Sequence, residues 1–293
     1  MDNEINDLFT GYSRGEVTRR NFLKKLTLYT GSVTAATALL SFANEPSAPL
    51  LETISTVNAK GKKDKSSVVT EFIAYPGATG EMKAFLARPA KKKKYPAVIV
   101  IHEIFGLNKH IRDVVQRFAK EGFLTIAPDA LSSQGGTPDD NNKAAAMIRE
   151  LDGEATTKNY VAAVQYLKTH PLSNGKVGCT GFCWGGAMTN QVAVNEPELD
   201  AAVPYYGRTP EPSDVPKIKA PLLAHFAGDD ARINEGIPAF EEALKKAGIE
   251  YQIFIYEGAK HAFNNDSNPE RYNADAAKLA WERTIAFFQE KLK

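Results

Sequence analysis

The chain has 293 residues, 43% of them hydrophobic, and its 36 basic and 35 acidic side chains leave a net charge of +1. That length and apolar content suit one large α/β core better than two small ones. The near-neutral balance gives no electrostatic footing for nucleic acid or an acidic partner, and two cysteines, Cys179 and Cys183, are too few for a disulfide framework.

The first sixty residues read as a separate segment. Thr18-Arg19-Arg20-Asn21-Phe22-Leu23-Lys24 has the form of a twin-arginine signature, followed by a mildly apolar run from Leu26 to Phe42 rich in Thr, Ala, Gly and Ser. The pattern resembles a bacterial Tat export signal. It implies a signal peptide and linker over 1–59, cleaved after Ala43 or after Ala59, the Tat machinery as partner in transit, and a periplasmic or secreted mature protein. The apolar run is interrupted and short of the roughly 20 residues that spanning requires, so no stable membrane insertion is expected after processing. An uncleaved anchor, and an amphipathic helix with a chance arginine pair, are the alternatives. Lys60, Lys62, Lys63 and Lys65 then mark a solvated tail, with a nucleic-acid patch as the weaker alternative, before a domain spanning 66–293.

In that domain, Val68 to Tyr75 and Met82 to Arg88 alternate as a hairpin would, with Pro76-Gly77 expected at the turn. Pro96 to Ile101 has the continuous apolar character of a central parallel strand. A helix follows from about Lys109 to Lys120, then a strand from Phe123 to Pro128 and helices near Asn142 to Leu151 and Glu154 to Thr169. Further strands are expected at Ala201 to Tyr206, Leu222 to Ala227 and Tyr251 to Tyr256, with helices near Ile237 to Ala247 and Pro269 to Leu292. This alternation predicts a doubly wound, mostly parallel sheet with helices on both faces, behind an antiparallel hairpin.

The chemistry centres on Gly181-Phe182-Cys183-Trp184-Gly185, entered from the strand Lys176 to Thr180 and left by a small-residue helix, Gly185 to Val194. It is the cysteine form of the G-x-S-x-G nucleophile elbow, whose glycines permit a sharp strand-to-helix turn. A buried cysteine acting only as a small hydrophobe is the bland alternative. Ligands of such sheets sit beyond the strands' carboxyl ends, where Glu103, Cys183, Asp229-Asp230 and His261 all fall. The order cysteine, aspartate, histidine is that of an α/β-hydrolase.

From about Val68 onward the chain resembles the dienelactone hydrolase family. The marks are His102-Glu103-Ile104-Phe105-Gly106-Leu107-Asn108, Asn174-Gly175-Lys176-Val177-Gly178, the elbow, Tyr205-Tyr206-Gly207, and Gly258-Ala259-Lys260-His261-Ala262-Phe263. The resemblance implies an α/β-hydrolase fold cleaving ester or lactone bonds, with Cys183 as nucleophile and His261 as general base. Gly228-Asp229-Asp230-Ala231-Arg232-Ile233 fits the family pattern in a way that selects Asp230 as the orienting acid. By the same resemblance Glu103 holds the resting thiol, and the amides of Ile104 and Trp184 form the oxyanion hole.

The family's carboxylate-gripping arginines are missing. Ser132-Ser133-Gln134 and Asn264-Asn265 stand where they are expected, so selectivity for dienelactone carboxylates is not expected. Arg208 is a candidate for a relocated anion contact, against the more ordinary reading of a solvent-facing arginine, and Tyr206, Phe105 and Trp184 are candidates for an aromatic pocket wall or equally for core, with Phe105 read as core. His102 is expected beside the elbow, His225 near the core, and His110 and His170 at the surface. No metal and no cofactor are expected. A non-catalytic binding or redox-responsive protein on the same fold, and an acyl transferase, are the rival readings.

Overall fold

The computed structural model describes residues 67–293 and, near the start of the chain, 17–18 and 21–22. The chain divides into two units, Met1–Ser67 and Val68–Lys293. Arg19, Arg20 and both candidate cleavage points fall outside the described residues. No helix among the described residues is long and apolar enough to cross a membrane.

The second unit is built on eight strands: β1 (Val68–Gly77), β2 (Gly80–Pro89), β3 (Tyr95–Ile101), β4 (Leu124–Pro128), β5 (Ser173–Phe182), β6 (Ala201–Tyr205), β7 (Leu222–Asp229) and β8 (Tyr251–Lys260). They form one sheet in the order β1-β2-β4-β3-β5-β6-β7-β8. The β1–β2 and β2–β4 pairs are antiparallel and the pairs from β4 to β8 are parallel. The helices are α1 (Lys109–Lys120), α2 (Asn141–Arg149), α3 (Gly153–Thr169), α4 (Trp184–Asn195), α5 (Ala231–Asn234), α6 (Ile237–Ala247) and α7 (Ala274–Lys291).

Strand β3 shows why the centre of the sheet reads as an unbroken apolar run. Its side chains alternate between two cores: Ala97, Ile99 and Ile101 pack with α2, α3, α4 and α6, while Val98 and Val100 pack with α1 and α7. A strand covered on both faces has no polar side to display. The amphipathic α1 buries Ile111, Val114, Val115 and Phe118. Its first turn is closed by Asn108, whose Oδ1 accepts the Ile111 amide at 3.1 Å.

Several element boundaries differ from the sequence reading, two of them for a clear local reason. Pro76 and Gly77 belong to β1, and the hairpin turns at Ala78 and Thr79, with Gly77 paired to Gly80. The Asn159 side chain fixes that turn by accepting the Thr79 amide at 3.1 Å. The last helix starts at Ala274, because Asn273 caps it through the Ala276 amide at 3.1 Å.

Three glycines set how close α4 comes to the sheet. A Cβ on Gly181 would lie 2.2 Å from the Gly185 carbonyl oxygen, one on Gly185 would lie 2.3 Å from that of Ile101, and one on Gly186 would lie 2.3 Å from that of Tyr205. These neighbours are backbone and cannot swing aside. Gly185→Ala is therefore expected to cost about 3 kcal/mol or more in chemical denaturation. Gly153→Ala, at an open position at the start of α3, should change stability by less than about 1 kcal/mol.

Candidate active site

Cys183 joins β5 to α4 at φ 57°, ψ −114°. The positive-φ residues other than glycine, among those described, are Cys183, Tyr206 and Ala262. They follow the ends of β5, β6 and β8 respectively. Such backbone costs on the order of 1–3 kcal/mol per residue and persists only where the surroundings enforce it. Here the Cys183 amide donates to the Tyr205 carbonyl at 3.1 Å, and the Tyr206 amide to that of His225 at 2.7 Å. Strain is thus concentrated at the carboxyl end of the sheet, where a doubly wound fold places its ligand.

His261, just past β8, hydrogen-bonds through Nδ1 to Asp230 Oδ2. Asp230 is buried just after β7 and its carbonyl accepts the Ile233 and Asn234 amides. Asn234 then turns its side chain back to the Ala227 carbonyl at 2.8 Å, closing the loop that carries the aspartate. With Nδ1 committed to Asp230, Nε2 is the nitrogen left for proton transfer. Asp229 is the last residue of β7 and is exposed.

Glu103, 3% exposed, sits just past β3. Its Oε2 accepts Asn265 Nδ2 at 2.7 Å, while Oε1 is buried without a partner. Burial pushes this carboxyl up to about 7, against smaller downward pulls from Asn265 and Arg271. The Cys183 thiol is pushed up to about 11, first by burial and then by the Glu103 carboxylate. The Trp184 amide and the Arg232 guanidinium pull it back only in part. The resting thiol is therefore protonated at neutral pH, and the negative charge of Glu103 helps keep it so.

Trp184 is the first residue of α4, so its amide lacks an intrahelical acceptor. It stacks on His102 with ring centres 5.3 Å apart. His102 Nε2 accepts the Ala130 amide at 3.2 Å, which leaves Nδ1 as the donor to the Glu103 carbonyl at 2.7 Å. This neutral, fully buried imidazole braces the loop carrying Glu103 and Ile104.

Several placements correct the sequence reading. His110 is buried, not superficial, and pairs with Asp266 at 3.1 Å. Phe105 is half-buried rather than core, and His170 is half-buried rather than at the surface. Arg208 is exposed, in line with its reading as a solvent-facing arginine, with its carbonyl held by Asn190. The guanidiniums whose charge reaches Cys183 and Glu103 are instead those of Arg232 and Arg271. Both cysteines are free thiols. A cleft of about 800 Å³ adjoins the site through Leu107 and Ser267 without including Cys183, Glu103 or His261 in its walls.

Comparison with known proteins decides the family. Residues 82–292 match the Dienelactone hydrolase family. The chain belongs to the dienelactone hydrolase family. It is 33% identical to an Escherichia coli protein named "Putative carboxymethylenebutenolidase", over 76% of this chain and 88% of the relative. A protein of the same name from Saccharolobus solfataricus is 32% identical, over 75% of this chain and 98% of its own length. A crystal structure from Klebsiella pneumoniae subsp. pneumoniae, named "Putative Dienelactone Hydrolase", superposes with a TM-score of 0.69 at 30% identity, covering 76% of this chain and 99% of its own. The chain is thus an α/β-hydrolase of the carboxylic ester and lactone class.

In this dienelactone hydrolase family member, the two loops without the expected arginines are held by neutral groups. Ser132 accepts the Lys83 amide at 2.9 Å and donates to the Asp129 carbonyl at 2.5 Å. Asn265 is spent on Glu103 and on Ser267, whose amide and hydroxyl it accepts. Sequence reasoning missed this use of Asn265; its signal was an amide side chain four residues past the histidine.

Glu103→Gln removes a charge while keeping an acceptor for Asn265. Alkylation of Cys183 by iodoacetamide at about pH 8 should become several-fold faster, because a negative neighbour has been lost. The folded carboxyl titrates above its unfolded value, so its favourable contribution is present below the unfolded pKa and is lost as pH rises through about 7. The substitution should therefore raise the thermal midpoint more at about pH 8 than at about pH 5.

Proposed function

We propose that this protein cleaves esters or lactones by nucleophilic catalysis at Cys183, with His261 as general base and Asp230 as its orienting acid. The observation that carries the reading is the strained Cys183 backbone at the N-terminus of α4, on a sheet whose neighbouring strand ends present a buried aspartate bonded to a histidine.

The reaction begins with transfer of the thiol proton to His261 Nε2. The thiolate then adds to the substrate carbonyl carbon, and the carbonyl oxygen takes the developing negative charge. The amides of Ile104 and Trp184 receive that oxyanion; neither has a backbone acceptor among the described residues. Collapse expels the leaving oxygen, protonated by His261, and leaves a thioester. Water, deprotonated by His261, adds to the thioester, and departure of the sulfur releases the acid and restores the thiol. Asp230 holds the Nδ1–H tautomer and stabilises the imidazolium throughout. Glu103 keeps the thiol protonated until a substrate changes its surroundings. Thiolates leave as readily as they attack, which favours activated esters and lactones over amides.

The reading extends to substrate charge and compartment. The positions of the missing arginines are engaged in internal hydrogen bonds, which favours substrates other than dienelactone carboxylates. Tyr206 and Phe105 remain the candidate substrate contacts, and the exposed Arg208 the candidate anion contact. The twin-arginine signature at Arg19-Arg20 supports Tat export to the periplasm or beyond.

Matched aryl esters and five-membered lactones, with and without a free carboxylate, test this reading. Cys183→Ala should lower turnover on the order of 10³-fold or more, and Asp230→Asn by a similar factor with binding retained. Neutral substrates should be preferred in kcat/KM. Undiminished turnover by Cys183→Ala would refute the nucleophile assignment, and a strong preference for the carboxylates would refute the specificity.

A further inference from the structure

Two polar atoms near the thiol have no partner. One is Glu103 Oε1 and the other is the hydroxyl of Tyr206, a side chain only 1% exposed. Leaving such groups buried and unpaired costs on the order of 1–3 kcal/mol each, so a fold keeps them where something else pairs with them. Neither is explained by the hydrolytic steps above, which use the Glu103 charge and not its free oxygen.

Asn265 donates to the other oxygen of Glu103, which leaves Oε1 free. Tyr206 is within electrostatic reach of both Glu103 and Cys183, each of which adds to the effect of burial in holding its phenol protonated. Its ring packs on His261, with centres 5.2 Å apart, and on Phe263 at 5.3 Å.

The Tyr206 backbone is held at φ 37°, an unfavourable value for a bulky residue. Ring packing and backbone strain together fix the phenol in place beside His261. A hydroxyl group satisfies both unpaired atoms at once, donating to Glu103 Oε1 and accepting from Tyr206. Carbonyl or ether oxygens satisfy Tyr206 alone, and a carboxylate meets the repulsion of Glu103.

We propose that the Tyr206 hydroxyl and Glu103 Oε1 form a hydroxyl-recognition subsite, and that the preferred substrates are esters or lactones bearing a free hydroxyl on the carbon next to the scissile carbonyl. That position follows from the Tyr206 ring packing on His261 and the Glu103 charge acting on Cys183, which put both groups at the border of the reacting carbonyl. The inference rests on the reading of Cys183 as nucleophile for its geometry, so its test is arranged not to require turnover.

The probes are α-hydroxy-γ-butyrolactone and γ-butyrolactone, titrated calorimetrically into the full chain carrying Cys183→Ala, with and without Tyr206→Phe. The hydroxylated lactone should bind about tenfold more tightly, and Tyr206→Phe should bring the ratio to within about twofold. The thermal midpoint of Tyr206→Phe should equal or exceed that of its parent, because an unpaired hydroxyl has been removed. Equal binding of the two lactones overturns the subsite, whatever the state of the Tyr206→Phe variant. So does a ratio unchanged by Tyr206→Phe, or a fall in its midpoint with equal binding, as an ordered water bridging the two groups would give. If wild-type enzyme hydrolyses neither lactone while the binding ratio holds, the subsite stands and the hydrolytic reading of Cys183 fails.

Discussion

The site depends on how closely the first turn of α4 approaches the ends of β3 and β6. Gly185 brings helix backbone against the Ile101 and His102 carbonyls, and Gly186 brings it against Tyr205 and Gly207. That proximity leaves Cys183 no relaxed conformation, and it presents the thiol together with the Trp184 amide. The same approach places the β3 end, with Glu103 and Ile104, beside the sulfur. A candidate nucleophile, a charge that keeps its thiol protonated and two candidate oxyanion donors therefore follow from one packing constraint, met by residues without side chains.

A second layer of polar contacts holds the far side of the cleft. His225 accepts or donates to Thr284 at 3.0 Å and to Tyr256 at 2.9 Å, Tyr205 meets Thr284 at 2.6 Å, and Arg283 reaches Tyr256 at 3.1 Å. These bonds tie β6, β7 and β8 to α7, directly behind the strained Tyr206. Burial pushes His225 down to about 3, so the network is neutral at its centre and fully paired. By contrast, Glu103 Oε1 and the hydroxyl of the strained Tyr206 are buried without a partner.

What the sequence could disclose was whatever rests on local chemistry. The apolar run of β3, the amphipathic stripe of α1 and the glycine spacing of the elbow each reflect a constraint acting within a few residues. The placement of Glu103, Asp230 and His261 at strand ends follows from the same alternation of elements. Contacts across the fold were not legible. Asn265 reads as an ordinary loop residue until a partner 162 positions away is brought beside it. His110 reads as surface until Asp266 closes over it. Phe105 sits in an apolar motif yet remains half-exposed, because the turn after β3 carries it out of the core. The hairpin misplacement has a local cause: Pro76-Gly77 has turn chemistry, but Pro76 sits near the end of the edge strand β1, where an amide can be spared.

The account stands or falls on a covalent bond between substrate and Cys183. Intact-protein and peptide mass spectrometry, after rapid mixing with an activated aryl ester and acid quenching, measures it directly. The account predicts a mass gain equal to the acyl group, located on the peptide containing Cys183, formed before steady-state product release and absent in Cys183→Ala. Turnover with no acyl adduct on that peptide at any time, and undiminished in Cys183→Ala, would contradict it.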